Sequence, residues 1–271
     1  MAKKILITGA STGIGYATAL LFQQQGWNVV ATMRSPEKAV ALSALDNACC
    51  LRLDVTDPES IQQAIEQALE RFQSIDVLVN NAGYGLIGPF EACSLEQIER
   101  QFATNVFGLM AVTRSLLPHF REQRSGIIMN VSSIGGHMGF PLYSLYHSTK
   151  WAVEGFSESL QYELEPFNIR VKIIEPGPIK TDFYERSADL ASKPGLTAYD
   201  TFVAKVTAAM KNADKAGSPP ETTAQVIYRA ATDNSRQLRY PAGGNAGAVI
   251  FLRNLLPDSW FSTIIRGAMV R

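Results

Sequence analysis

A doubly wound α/β fold is what this sequence predicts: one domain, a parallel sheet of about seven strands, helices on both faces. Three observations carry that expectation. Short apolar runs alternate with amphipathic stretches from one end of the chain to the other. The first apolar run passes straight into a glycine-spaced turn, Gly9, Gly13 and Gly15, which opens a helix. Several of the later helices carry explicit start signals, the usual dress of strand–helix–strand crossovers.

The elements follow in order. Residues 3–8 form the first strand, and a helix runs from about Gly13 until Gly26 ends it. Residues 28–33 and 49–53 form the second and third strands. Asp57-Pro58 then opens a helix, with Asp as N-cap and Pro at the first helical position. Ile61, Ala64, Ile65, Ala68, Leu69 and Phe72 keep one face of it apolar. Residues 75–80 are the fourth strand, and Ser94 with Gln97 makes a capping box for a long helix running towards Pro118. Residues 126–131 form the fifth strand, a helix starts near His147, and 169–175 is the sixth strand, stopped by Pro176-Gly177. A last helix near 223–231 precedes a short strand at 238–240. The stretch from 178 to 219 is weakly patterned, and the chain closes in an apolar, aromatic tail over about 245–271.

Composition narrows the function. Hydrophobic residues make up 46% and charged residues 18% of the 271, a globular balance able to bury a large core. Lys plus Arg equals Asp plus Glu at 25 each, which argues against a nucleic-acid footprint or a polybasic membrane anchor. Cys49, Cys50 and Cys93 are too few for a disulfide framework, so a reducing, cytoplasmic setting is expected. The basic N-terminus lacks the long apolar run of a signal peptide, and no stretch approaches a membrane span. Three histidines without C-x-x-C or H-E-x-x-H spacing point away from a metal. The Asn130-Val131-Ser132 sequon reads as chance.

Gly9-Ala10-Ser11-Thr12-Gly13 fits two catalytic templates. As G-x-S-x-G it suggests a hydrolase nucleophile at Ser11, but that fold borrows an oxyanion N–H from a loop earlier in the chain, and here the turn follows the first strand. The phosphate-cradle alternative needs a strand before, a helix after and a ribose-reading residue about 20 positions on. All three are present. No Asp or Glu lies between Gly15 and Pro36, and Arg34 stands just past the second strand, suited to a 2′-phosphate. NADP(H) is therefore expected over NAD(H). A second glycine pattern, Gly83-Tyr84-Gly85-Leu86-Ile87-Gly88, runs into Pro89 instead of a helix and reads as a loop over the cofactor edge.

Tyr146-His147-Ser148-Thr149-Lys150 places a phenol and an ammonium one helical turn apart. A nearby cation favours the phenolate, and a tyrosine so tuned can exchange a proton with a carbonyl or alcohol oxygen. With this pair the chain resembles the short-chain dehydrogenase/reductase family, a Rossmann-fold family. Thr8-Gly9-Ala10-Ser11-Thr12-Gly13-Ile14-Gly15 is similar to its TGxxxGIG loop and Asn80-Asn81-Ala82-Gly83 to its NNAG motif. Tyr146-x-x-x-Lys150 is similar to its YxxxK, and Pro176-Gly177 with Thr181 to its PGxxxT.

The resemblance implies roles. Tyr146 is the general acid/base, Lys150 holds the nicotinamide ribose and tunes the tyrosine, and Ser133, thirteen positions before Tyr146, steadies the substrate oxygen. Asn105 holds a proton-relay water. Gly9, Ser11, Thr12, Gly13, Ile14 and Gly15 line the phosphate cradle; Asp54 and Val55 meet the adenine. Asn81, Ala82 and Gly83 wall the adenosine ribose, and Pro176, Gly177, Ile179 and Thr181 lie at the nicotinamide end. The reaction implied is hydride transfer between NADP(H) and a carbonyl or secondary alcohol. A non-catalytic NADP(H) sensor is the alternative.

The resemblance fades after about residue 185. Phe183, Tyr184, Leu190, Tyr199, Phe202 and Val203 give the segment 178–219 the apolar surface of a substrate lid, or of ordinary core. The tail, with Arg253, Arg266 and Arg271 among its apolar residues, walls the pocket, packs on a second subunit or touches a membrane surface. The resemblance further implies a medium or large apolar substrate (steroid-, retinoid- or acyl-like) and a homodimer or homotetramer assembled through the helices over 95–117 and 147–165.

Overall fold

The computed structural model describes residues 2–180, 188–215 and 217–270. Strands β1 (Lys4–Thr8), β2 (Asn28–Met33), β3 (Ala48–Arg52) and β4 (Val77–Asn80) are followed by a short β5 (Gly85–Ile87). Next come β6 (Gly126–Val131), β7 (Ile169–Pro176), a second short strand β8 (Ala188–Leu190) and β9 (Arg239–Ala242). Seven of them form one sheet in the order β3-β2-β1-β4-β6-β7-β9, every pair parallel. The expected doubly wound seven-stranded sheet is present. The order reverses between β1 and β4, so the crevice at their carboxyl ends is the place where this topology takes a ligand.

Helices α1 (Gly13–Gln24), α2 (Val40–Ser43), α3 (Pro58–Phe72), α4 (Leu95–Phe102), α5 (Leu109–Glu122) and α6 (Ser144–Leu164) belong to the crossovers. Beyond β8 come α7 (Asp200–Lys215), α8 (Pro220–Thr232), α9 (Ala246–Leu255) and α10 (Asp258–Met269). Strand side chains alternate between two cores, as a period of two requires. Ile5, Ile7, Val29, Ala31 and Val79 pack with Phe22 of α1 and Ile227 of α8. Leu6, Val30, Leu78 and Ile128 pack with Ile61 and Ile65 of α3, Leu116 of α5 and Leu160 of α6. Lys172, fully buried on β7, donates to Asp233 Oδ1 at 2.7 Å and Tyr240 Oη at 2.8 Å, tying the edge strand β9 and the end of α8 to the sheet.

Local start signals are realised. Asp57 accepts from the N–H groups of Glu59 and Ser60, and both halves of the Ser94/Gln97 capping box are formed. Non-local features depart from expectation. The long helix is broken by a π turn at Ala103–Gly108 and then continues through Pro118 to Glu122. Pro118 is exposed, so the carbonyl its ring leaves without a donor can be solvated. Residues 85–87, read as loop, are a strand because Ala188–Leu190 supplies a parallel partner 103 residues later. Helix α6 begins at Ser144 rather than near His147, and α7, α9 and α10 occupy stretches to which no helix was assigned. The sequon Asn130 is fully buried and bonded to Asn80 and Ser157, which bears out its dismissal.

Candidate active site

Among the described residues one large cavity, about 850 Å³, opens at the carboxyl ends of β1, β2, β4, β6 and β7. Its floor is the first glycine turn. Gly9 has φ +68°, a left-handed value that favours glycine, and a Cβ there would stand 2.9 Å from Ala82 Cα. A Cβ on Gly15 would stand 2.4 Å from Gly9 O and 2.5 Å from Asn81 Nδ2. Gly15 therefore does not line the cavity; its role is to let α1 approach the turn. The Asn80–Ala82 segment fastens to the same turn: Thr8 Oγ1 accepts the N–H groups of Asn81 and Ala82, each at 3.0 Å. Asn81 Nδ2 donates to Thr8 O and Gly9 O at 2.9 and 3.0 Å. Thr12 caps α1 without a side-chain bond and no acid sits in its first turn, so the N–H groups of that helix end face the cavity with the positive end of its dipole. A close-approach glycine turn and an uncapped helix N-terminus fit a dinucleotide pyrophosphate.

Gly15→Ala is expected to cost about 1–3 kcal/mol by overpacking. That lowers the melting temperature by roughly 2–10 °C. Gly267→Ala, in the helix α10, where an added methyl meets nothing within 4 Å, is the control and leaves it unchanged or higher. Differential scanning fluorimetry of the two variants separates close approach from loss of glycine as such.

At the far wall, Arg34 is exposed on the rim just beyond β2, with Asp54 beside it. Burial alone raises the Asp54 carboxyl, but the Thr56 bonds to it and the Arg34 and Arg52 charges overcome that and hold it below the usual range. Val55 packs on Gly108 in the π turn. Asn81, Ala82 and Gly83 line the middle of the cavity, while Pro176, Gly177 and Ile179 line the other end. Ile179 is pinned by a parallel bridge to Ser218, and Gly177 donates to Ala242 O at 2.9 Å. Thr181 lies outside the described residues.

The chemistry-bearing side chains meet at that end. Tyr146 and Lys150 share one face of α6, the ammonium 5.5 Å from the phenol ring centroid. Lys150 is buried, donates to Val131 O at 2.9 Å, and is pulled down to about 8 by burial, with Glu154 resisting. Ser133, half-buried and extended (φ −172°), lines the cavity and accepts from the Gly135 N–H at 3.1 Å. Asn105, buried within the π turn, does not line the cavity. Its side chain accepts from Tyr84 N at 3.1 Å and donates to Tyr84 O at 2.9 Å and Thr149 Oγ1 at 3.2 Å. The side-chain amide thus clamps the segment after Asn81 to α6.

Other lining residues had no motif to reveal them. His147 accepts from Phe140 N at 3.2 Å, stacks on Tyr143 with centroids 5.2 Å apart, and is pushed down to about 4 by burial. Phe140, Tyr143, Met210 and Met269 make this end apolar. Asp189 of β8 closes the rim, paired with Arg100 and accepting from Gln97 Nε2 at 3.0 Å. Of the expected lid residues, Leu190 is exposed, Phe202 packs in the cluster of Tyr143 and Met210, and Phe183 and Tyr184 fall outside the described residues. None of Leu190, Tyr199, Phe202 and Val203 reaches the cavity; Ala188, Asp189 and Met210 do. The tail does wall the pocket in part: Met269 lines it, and Ile250 and Phe261 pack on Ile134 and Met138 behind Ser133.

Comparison with known proteins agrees with this arrangement. The family model for short chain dehydrogenase matches residues 3–190. The chain is 40% identical to the uncharacterized oxidoreductase YusZ of Bacillus subtilis, with 98% of both chains covered. The crystal structure of a short-chain dehydrogenase from Streptomyces avermitilis superposes with a TM-score of 0.82 at 35% identity, covering 98% of each chain. ElxO with NADP bound gives 0.75 at 28% identity over 92% of this chain and 100% of that one. A 3-ketoacyl-(acyl-carrier-protein) reductase from Brucella melitensis complexed with NADH gives 0.74 at 27% over 90% and 98%. A glycine turn, an Asn-Asn-Ala-Gly wall and a Tyr–Lys pair gathered at the switch point of such a sheet are explained together by one conclusion: the chain belongs to the short chain dehydrogenase family and is an oxidoreductase.

Proposed function

We propose that the protein transfers hydride between NADP(H) and a carbonyl or secondary alcohol carried on a medium or large apolar molecule. One observation carries this reading: Tyr146, Lys150 and Ser133 open into the same cavity as the glycine turn and Arg34. A bound nicotinamide dinucleotide supplies or accepts the hydride. Pro176, Gly177 and Ile179 wall the nicotinamide end. The Tyr146 hydroxyl gives its proton to the carbonyl oxygen in reduction and takes one from the alcohol in oxidation. Lys150 supplies the fixed positive charge that favours the phenolate, and Ser133 donates a hydrogen bond to the same oxygen. Phe140, Tyr143, Met210 and Met269 leave the substrate end apolar, which suits a steroid-, retinoid- or acyl-like ligand. Exposed Leu95, Phe107, Trp151 and Tyr162 on α4, the π turn and α6 support a homodimer or homotetramer built on those helices.

An absorbance screen at the nicotinamide band, with NADPH and NADH against ketones, aldehydes and quinones, tests the reading. Binding of NADPH without turnover of any carbonyl favours a sensor instead. For the cofactor preference, Arg34→Asp is expected to weaken NADPH binding by about 2–3 kcal/mol, the scale of a charge-assisted bond lost. NADH binding changes far less. Equal losses in titration calorimetry refute the pairing of Arg34 with a 2′-phosphate.

A further inference from the structure

Behind the catalytic wall lies a buried cluster of charge that none of the family motifs contains. His137 Nε2 stands 2.8 Å from Glu175 Oε1 and 3.9 Å from Glu154 Oε1. Arg239 Nε stands 3.1 Å from Glu154 Oε2 and 3.5 Å from Glu175 Oε1, and its outer nitrogen pairs with Glu158. The side chains of Glu175 and Glu154 are 1% and 7% exposed. His137 comes from the turn that follows Ser133, Glu154 from α6, Glu175 from the end of β7 and Arg239 from β9. Three of these groups are close enough to ligate an ion. The Arg239 guanidinium stands where such a cation would, against the two buried carboxylates, with Glu158 at its half-exposed outer side. When all four are ionised, two cations face two anions, an arrangement that makes buried carboxylates tolerable.

Two features connect this cluster to the site. Glu154 is one helical turn beyond Lys150 on α6, and its negative charge acts on the Lys150 ammonium. The Ser133–His137 turn is folded onto Glu154: Gly136 donates to Ser133 O at 2.9 Å, and a Cβ at Gly136 would stand 2.8 Å from Glu154 Cγ. Only glycine allows that contact. His137, bonded to Glu175, anchors the end of the turn opposite to Ser133.

Building on the function proposed above, we propose that Glu154 is a positioning residue for the reaction: held by Arg239 and facing His137 and Glu175, it fixes the turn that carries Ser133 and keeps Lys150 in its ammonium form. Burial and the neighbouring Glu175 raise its carboxyl, against the pull of the Ser132 hydroxyl, His137 and Arg239; the Arg239 guanidinium, 3.1 Å away, is the contact that favours its ionised form. His137 is raised by its bond to Glu175, the direction that favours its cationic form.

The full-length protein labelled with ¹³Cε-lysine gives a direct test. The Lys150 signal is assigned by its absence in Lys150→Met and titrated by NMR in wild type, Glu154→Gln and Arg239→Gln. A midpoint near 8 is expected in wild type. Glu154→Gln removes an anion and moves it down by about one unit. Arg239→Gln releases the Glu154 carboxyl and lets it take up a proton, which moves the midpoint down as well. In parallel, the basic limb of the reductive kcat profile follows the NMR midpoint in both variants, and Glu154→Asp restores it towards wild type. Unmoved Lys150 midpoints in both variants overturn the proposal, as does a Glu154→Gln enzyme with lowered thermal stability and a wild-type pH profile, which would mark a structural residue only. If Glu154→Gln does not fold, Arg239→Gln decides alone: a downward shift supports the proposal, and an unmoved or raised midpoint overturns it. Shifted midpoints in a protein that reduces no carbonyl would sink the oxidoreductase mechanism and leave the electrostatic coupling standing; normal turnover with unmoved midpoints does the reverse.

Discussion

Tyr146→Phe is expected to fold, to bind NADPH and to lose about 10²–10⁴-fold in turnover. The substitution removes one oxygen and keeps the ring, so packing of Tyr146 against Tyr143 and His147, with centroids 5.9 and 5.7 Å away, persists. In the proposed binding mode cofactor affinity rests on the glycine turn, the α1 end, Arg34 and Lys150, none of which needs the hydroxyl. The loss therefore falls on kcat rather than on cofactor binding, the pattern for an interaction made in the transition state. Tyr143→Phe is the control, since Tyr143 lines the same cavity and stacks on His147 but sits at the non-helical N-cap of α6, about two turns from Lys150 instead of one. In oxidation, the rate rises with pH in wild type as the acid/base group titrates, and Tyr146→Phe abolishes that rise. Near-normal turnover in Tyr146→Phe, with Tyr143→Phe inactive, would transfer the acid/base role to Tyr143.

Lys150→Met is expected to damage both rate and binding. Its ammonium is buried, donates to Val131 O at 2.9 Å and stands 5.5 Å from the Tyr146 ring. Losing a hydrogen bond from a charged group costs about 1.5–3 kcal/mol, which is roughly 10–100-fold in NADPH affinity if that group holds the ribose. Turnover falls further, by about 10²-fold or more, because the phenolate loses its neighbouring cation. Stability moves the other way. A lysine lowered to about 8 in the folded protein from 10.5 opposes folding at pH values below 8, and that cost fades as the pH rises towards the unfolded value. Removing the charge therefore leaves the melting temperature at pH 7 unchanged or higher. Calorimetric titration, kcat and a thermal melt on one preparation distinguish this outcome from simple misfolding, in which all three decline together.

The parts of the fold legible in the sequence are those whose causes are local. The Asp57 cap, the Ser94/Gln97 box, the apolar stripe of α3 and the strands at 28–33 and 126–131 are each set within a few residues of themselves. The proposed catalytic pair, Tyr146 and Lys150, was legible for the same reason, because a spacing of four on a helix is a spatial statement. Strand β5 was not legible: Gly85–Ile87 has no strand pattern of its own and exists because β8 arrives beside it. Arg100 and Asp189, which close the cavity rim together, are 89 residues apart and share no motif. The tail showed its apolarity but not its destination; burial of Ile250 and Phe261 against Ile134 and Met138 needs the turn after Ser133 to be in place.

By itself the sequence determined the sheet, its winding, the glycine cradle and the Tyr146–Lys150 face, since periodicity, caps and backbone sterics act over one or two turns of chain. Tertiary structure alone decided which groups surround those residues. It spent the side-chain amide of Asn105 on Tyr84, brought Met210 and Met269 to the substrate end, and set His137, Glu154, Glu175 and Arg239 from four separate elements into one buried cluster behind Lys150. The physical reason is that a charge or a cavity wall is defined by distance in space, and over such separations the chain carries no signal of distance until the sheet has folded.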